Sequence, residues 1–155
     1  MNPLKMKTYK AKKGGLITCI LLGILAVPLL TYLLDPRPFN ERLNFLMIFL
    51  MPSTIIFWPY FDTYYQIDNQ ILKYKSGYIK GAIEIGSITN ILKGKTRWVG
   101  IKPALATGGL IVKYNRYDDV YLAPEDSETF IKDLLSVNPS IQVIPSEAMS
   151  GTENA

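Results

Sequence analysis

The chain has 155 residues, of which 48% are apolar and only 19% charged, and its net charge is +4. It contains no histidine and a single cysteine, which excludes imidazole acid–base catalysis, a Ser-His triad and a cysteine-rich zinc site. The sequence therefore predicts no enzyme, no cofactor and no metal centre. The apolar excess lies between residues 14 and 61, so we expect one small domain with a membrane anchor.

The first thirteen residues form a basic segment. They hold five lysines: Lys5, Lys7, Lys10, Lys12 and Lys13. From Asp62 to Ala155, by contrast, ten Lys and Arg residues are balanced by eleven Asp and Glu residues. The calculated pI of 9.1 therefore argues for a topology signal near the membrane, and against binding to nucleic acid. Residues 1–13 are predicted to be a basic cytoplasmic N-terminus.

Residues 14–61 are predicted to form a transmembrane hairpin. Its two uncharged spans cover about residues 15–34 and 43–61, and twenty residues of helix reach about 30 Å, the thickness of a hydrocarbon core. A cleaved signal peptide is the alternative for the first span, but the apolar run is too long and no A-x-A site follows it. Neither span has an ionisable residue, so no ion pathway is expected. Pro28 and Pro52 are expected to kink the helices, and Cys19 is expected to be a small buried apolar residue.

Residues 35–42 are expected to form a tight turn between antiparallel helices. The connector is electrically neutral, whereas five lysines precede the first span. By the positive-inside rule, the N-terminus should lie in the cytoplasm, and two crossings should return the C-terminal domain to the same side.

Residues 62–144 are predicted to form a mainly-β domain, followed by a disordered tail over residues 145–155. Short apolar runs broken by turn residues predict strands near 64–67, 71–74, 79–85, 110–114 and 120–122. An amphipathic helix should begin at Pro124 and end at Asn138–Pro139. Antiparallel strands followed by one such helix indicate a bent sheet or small barrel with the helix covering an open end.

Several apolar and turn residues recur in an order typical of one family. They are Tyr65-x-Ile67-x-x-x-x-Leu72-x-Tyr74-x-x-Gly77, Ile83-x-Ile85-x-x-Ile88-x-x-Ile91, Pro103-Ala104-Leu105-Ala106, Leu110-x-Val112-x-Tyr114 and Leu122-Ala123-Pro124-x-Asp126-x-x-x-Phe130-Ile131-x-x-Leu134. Over residues 64–142 the chain resembles the bacterial pleckstrin-homology-like domains, formerly grouped as a domain of unknown function. Members of that family often follow two transmembrane helices, as here.

The resemblance implies a seven-stranded, strongly bent antiparallel sheet with a C-terminal helix, and it implies no known reaction. Two alanines, Ala106 and Ala123, stand where the family usually has serine. The change at Ala123 is expected to remove a helix-capping hydroxyl, at a cost of about 1 kcal/mol.

One segment of the domain has a possible binding role. Basic side chains surround a tryptophan in the order Lys93, Lys95, Arg97, Trp98 and Lys102. Close to an anionic bilayer these residues could contact lipid headgroups or a partner, and the alternative is a solvated loop whose tryptophan packs on the sheet. Asp118–Asp119 could be read as a paired carboxylate site, but with Asn115 and Arg116 between two predicted strands it has the composition of an ordinary turn.

The sequence thus predicts a non-enzymatic, membrane-tethered binding or scaffold module. Membrane lipids would contact the anchor, and a protein partner could add a strand to an open sheet edge. The alternative function is a sensor of anionic lipid headgroups that acts through the basic loop 93–102. No feature of the sequence specifies the oligomeric state.

Overall fold

The computed structural model describes residues 6–94 and 103–145. The N-terminal half contains a strand, two long helices and four further strands: β1 (Lys7–Lys10), α1 (Gly15–Leu34), α2 (Phe39–Phe61), β2 (Thr63–Asp68), β3 (Ile71–Ser76), β4 (Ile79–Glu84) and, after a 3-10 turn at Ile85–Ser87, β5 (Ile88–Lys93). The remaining elements are β6 (Leu110–Tyr114), β7 (Asp118–Leu122), α3 (Ser127–Val137) and β8 (Gln142–Pro145). This mainly-β domain with two N-terminal helices and one C-terminal helix confirms the predicted fold class.

The two long helices form a hairpin, and each is long and apolar enough to cross a membrane. Only 11% of the most apolar stretch of α1 and 6% of that of α2 is buried within the protein. A core helix of a soluble domain would be covered by its own chain, so these helices require an apolar environment of another kind. Cys19 is exposed on α1, which corrects the expectation of a buried position.

The helix boundaries agree closely with the predicted spans, with one difference. Helix α1 coincides with residues 15–34, whereas α2 begins at Phe39, four residues before the predicted start at residue 43. Pro38 immediately precedes the helix with a φ of −56°, and Glu41 lies in the first turn, where the helix dipole favours a negative charge. These two residues extend the helix into the polar connector, which the hydropathy pattern alone does not indicate.

The first sheet contains the strands on both sides of the hairpin. Its order is β1-β2-β3-β4, all antiparallel, with Lys7 opposite Ile67 and Lys10 opposite Tyr64. The helical hairpin is therefore inserted between two neighbouring strands. This places Lys7–Lys10 inside the β domain, although the sequence analysis began the domain at residue 62. The strand has three polar residues and one inward-facing Tyr9, so its composition cannot be distinguished from that of a basic tail.

The second sheet has the order β7-β6-β5-β8, in which β8 runs parallel to β5. Within the described residues the domain thus has eight strands, where the resemblance implies seven antiparallel ones. The six strands β2 to β7 carry the resemblance, whereas β1 precedes the matching residues and β8 begins where they end. β8 is short and largely exposed, which explains why its sequence shows no alternating pattern.

The core lies between the two sheets and beneath α3. Tyr65, Leu72, Val112 and Leu134 are all fully buried there, together with Phe130 from the helix. The ring of Phe130 lies edge-on to two tyrosines of the first sheet, Tyr9 at 5.0 Å and Tyr65 at 6.1 Å between centroids. A single helical side chain thus joins α3 to both β1 and β2.

Helix α3 begins three residues later than predicted. Its N-cap is Asp126, whose carboxylate accepts a hydrogen bond of 3.0 Å from the backbone N–H of Thr129. Pro124 forms an isolated bridge with Ala11, and Ala123 continues the strand hydrogen bonding. The helix therefore has its cap, and the expected cost of an alanine at position 123 does not apply.

Candidate functional site at the junction of hairpin and domain

The end of α2 is joined to the β domain without a linker. Helix α2 ends at Phe61 and β2 begins at Thr63, so only Asp62 lies between them. The hydroxyl of Thr63 hydrogen-bonds the carbonyl of Pro59 in the helix and lies 2.8 Å from the buried hydroxyl of Ser76 in β3. These buried contacts fix the direction in which the sheet leaves the helix.

Asp62 connects three elements at this point. Its carboxylate accepts a hydrogen bond of 3.2 Å from the indole N–H of Trp58 and forms an ion pair of 2.7 Å with Lys75 in β3. The hydrogen bond from Lys75 is the main cause that lowers the pKa of Asp62 below its ordinary value. The ring of Trp58 also stacks on that of Tyr78, in the turn between β3 and β4, at 6.1 Å.

The same turn packs directly against the helix. Gly77 has a φ of +56°, and its N–H donates to the carbonyl of Asp62 at 3.2 Å. A Cβ atom at this position would lie only 2.8 Å from Cγ of Pro59. Glycine is therefore required here both for the left-handed backbone and for the close approach of the turn to α2.

The segment that leads into α1 is held against the second sheet. The N–H of Lys12 donates to the carbonyl of Ala123 at 2.7 Å, and the N–H of Gly14 donates to that of Leu105 at 3.0 Å. The carbonyl of Lys10 in turn accepts a hydrogen bond of 2.9 Å from the N–H of Glu125. Both ends of the hairpin are therefore attached to the domain through backbone and side-chain hydrogen bonds.

A cavity of about 810 Å³ lies between these two attachments. Three lysines, three aromatic residues and one carboxylate contribute to its lining: Lys10, Lys12, Lys13, Tyr60, Phe61, Tyr64 and Glu125. The ammonium of Lys13 lies 4.5 Å from the centre of the Tyr60 ring and 5.3 Å from that of Phe61, which places it over both rings. We call this site the junction pocket.

A row of basic residues continues from the junction pocket across the outer face of the first sheet. In the strand register Lys10 lies opposite Tyr64, Tyr64 opposite Lys75, and Lys75 opposite Lys80. Of these lysines, Lys75 is ion-paired with Asp62. From the sequence alone, Lys10, Lys12 and Lys13 indicate only a topology signal, because the strand that contains Lys10 cannot be recognised from its composition.

Of the five candidate contact residues in the predicted basic loop, the structure describes only Lys93. Lys93, the last residue of β5, forms an ion pair with Glu128 in the first turn of α3. Lys95, Arg97, Trp98 and Lys102 lie outside the described residues. A contact of this loop with lipid or a partner stays a prediction.

The family model described as bacterial PH domain matches residues 63–138. The chain carries a bacterial PH domain. The match begins at the first residue of β2 and ends at the C-cap of α3, so it includes strands β2 to β7 and the helix but not β1 or β8. Comparison with curated proteins gives no match. The resemblance drawn from the apolar and turn residues is therefore confirmed, and in this chain the PH domain is completed by a strand that precedes the helical hairpin.

Proposed function

We propose that the chain is a non-catalytic, membrane-tethered PH module that presents a protein-binding surface at the cytoplasmic face of the bacterial inner membrane. The observation that carries this proposal is the pairing of β1 with β2 across the hairpin. One sheet contains both the strand before α1 and the strand after α2, so the two ends of the hairpin lie on the same side of a bilayer. A hairpin that spans the bilayer therefore crosses the bilayer twice. The domain then lies directly against the membrane surface.

The charge distribution supports the cytoplasmic orientation. Lys7, Lys10, Lys12 and Lys13 lie at the domain end of the hairpin. At the opposite end the connector carries two arginines and two carboxylates, and Arg37 is ion-paired with Asp35. The excess of lysine at one end favours retention of that end in the cytoplasm.

The outer strand β4 is the surface best suited to a protein partner. β4 pairs with β3 alone among the strands of the described chain, so its other edge is open. Four of the six residues of β4 are exposed, Ala82 among them, and only Ile83 is buried. An extended peptide could add to this edge through backbone hydrogen bonds, and Lys80 and Glu84 would select its charge pattern.

Site-specific crosslinking in cells tests the proposal. A photoreactive amino acid in place of Ala82 should give a crosslinked product with a discrete protein, whereas the same group in place of Tyr117, an exposed residue of the β6–β7 turn, should not. Absence of a product at Ala82 across growth conditions, or equal products at both positions, would refute binding at the β4 edge.

The second candidate function is recognition of anionic lipid headgroups through the basic loop 93–102. Lys93 is engaged with Glu128, so the contact would depend on Lys95, Arg97, Trp98 and Lys102. Since β1 belongs to the first sheet, the test requires the full chain. Lys95→Gln, Arg97→Gln and Lys102→Gln together should weaken binding to anionic vesicles if the loop contacts lipid, and unchanged binding would exclude it.

A further inference from the structure

We infer that the junction pocket binds the phosphate group of an anionic membrane lipid, a role separate from the basic loop 93–102. The inference depends on the proposed insertion of the hairpin in the bilayer. Lys10, Lys12 and Lys13, which the sequence links only to membrane topology, would contact the phosphate group.

The position of the pocket matches the depth of lipid headgroups. Tyr60 and Phe61 are the last two residues of α2, and Lys13 lies two residues before the start of α1. The pocket is therefore at the end of both spans, where the hydrocarbon core gives way to the headgroup region. A lipid could fill it while its acyl chains remain in the bilayer beside Phe61, which is 72% exposed.

The charges of the pocket require an anion. Among the described residues, Lys10, Lys12 and Lys13 form no ion pair, and Glu125 is the one carboxylate in the lining. The three lysines that line the cavity carry like charges, which repel each other, whereas a phosphate bound beside them would attract all three. Basic pockets at the cytoplasmic ends of membrane helices are suited to anionic headgroups for the same reason.

The pocket wall is held by contacts within the chain. The hydroxyls of Tyr60 and Thr18 lie 3.1 Å apart, which links the wall to α1, and the ring of Tyr60 supports the ammonium of Lys13. Its volume of about 810 Å³ is also within the range of about 300–1,000 Å³ typical of small-molecule sites. The site therefore combines room for a headgroup with the ammonium group of Lys13, which is held over two aromatic rings.

Native mass spectrometry of the full chain in non-ionic detergent tests the inference. The probes are phosphatidylglycerol and phosphatidylcholine with identical acyl chains, added in turn. We expect the chain to retain phosphatidylglycerol preferentially. The variant with Lys10→Gln, Lys12→Gln and Lys13→Gln should lose at least about tenfold in affinity for phosphatidylglycerol, since each basic residue near an anionic surface contributes severalfold.

Three further variants make the result specific. Lys113→Gln, Arg116→Gln and Lys132→Gln together remove the same charge from the second sheet and α3, and should leave binding unchanged. Arginine at positions 10, 12 and 13 should retain the preference for phosphatidylglycerol. Glu125→Gln removes the carboxylate from the lining and should increase the affinity. If a glutamine triple proves unstable, Lys13→Gln alone should still lower the affinity severalfold.

Several outcomes would overturn the inference. They are equal retention of the two lipids, an equal loss in the two glutamine triples, and a loss only with Lys95→Gln, Arg97→Gln and Lys102→Gln. Binding of glycerol phosphate as tight as that of phosphatidylglycerol would assign the pocket to a soluble phosphate. Failure of the proposed function would give results different from failure of this inference. Carbonate would extract the chain from membranes, or the crosslink at Ala82 would be absent.

Discussion

The two sheets of the β domain differ in charge as well as in what they carry. The first sheet and its flanks hold the hairpin, and their charged residues are mainly lysines: Lys7, Lys10, Lys12, Lys13, Lys73, Lys75 and Lys80 against Asp62, Asp68 and Glu84. The described part of the second sheet with α3 is mainly acidic: Lys93, Lys113, Arg116 and Lys132 against Asp118, Asp119, Glu125, Asp126, Glu128 and Asp133. The near-neutral composition of the domain thus conceals a separation of charge, with the basic side next to the two long apolar helices.

The two sheets nevertheless share one core, and a substitution at Phe130 tests this. Its ring is fully buried and contacts Tyr9 and Tyr65 of the first sheet from α3. Phe130→Ala should lower the free energy of unfolding by about 3–5 kcal/mol, because it leaves a cavity where the sheets meet. Urea unfolding in detergent micelles, followed by circular dichroism, measures this. Tyr117→Ala, at an exposed ring, should have no effect, and a similar small effect at Phe130 would mean that the sheets are stabilised separately.

The attachment of the first sheet to the hairpin can be tested at Gly77. Gly77→Ala introduces a left-handed alanine and places its Cβ atom against Pro59, and together these should cost about 2 kcal/mol or more. Gly108→Ala is a matched control, because Gly108 also has a positive φ, of +68°, but has open space for a Cβ atom. The urea unfolding midpoint should fall further for Gly77→Ala than for Gly108→Ala. Equal decreases in the midpoint would show that the close packing of the turn against α2 does not contribute to stability.

A single hydroxyl connects the two sheets in the core. Tyr65 in β2 donates to the carbonyl of Pro103 at 2.6 Å and accepts from the N–H of Ala123 at 3.1 Å, and burial raises its pKa above the ordinary value. Tyr65→Phe leaves both backbone groups without this partner and should cost about 1–2 kcal/mol in unfolding free energy. Tyr64→Phe, one residue away on the outer face, is the control. A loss no larger than that of the control would contradict a structural role for the hydroxyl.

The smallest expected effect is the response of the junction to pH. The pKa of Asp62 is lowered in the folded chain, so its contribution is present above the unfolded value of about 3.9 and is lost as the pH falls through the lower folded value. In a Trp98→Phe background, the fluorescence of Trp58 should therefore change as the sample is acidified through this range, because its indole hydrogen bond to Asp62 is weakened.

The control for this titration is Asp62→Asn, which should abolish the change, whereas Asp68→Asn, at the other end of β2, should not. A titration that persists in Asp62→Asn would assign the response to another group.

The N-terminal strand has a comparable link to α3, where Asp133 contacts Lys7 and Tyr9. Burial by itself would raise the pKa of Asp133, but the hydrogen bonds from these two residues lower it.

The sequence by itself determined the elements whose signal is local. The uncharged run at residues 15–34 has the length of α1, the alternation of residues 64–67 and 71–74 marks β2 and β3, and the apolar stripe of Phe130, Ile131 and Leu134 marks α3. These patterns arise from the period of each element and from the burial of one of its faces. The spacing of the same residues was sufficient to predict the family.

Only the tertiary structure decided what depends on contacts between distant parts of the chain. The strand at Lys7–Lys10 exists because β2 pairs with it from beyond the hairpin, and the parallel strand β8 exists because β5 accepts it. The start of α3 at Ser127 depends on Asp126, since the residues before it are engaged with the segment that leads into α1. The junction pocket has the same origin: its lysines and aromatic residues are far apart in sequence, and the pairing of β1 with β2 brings them to the same end of the two long apolar helices.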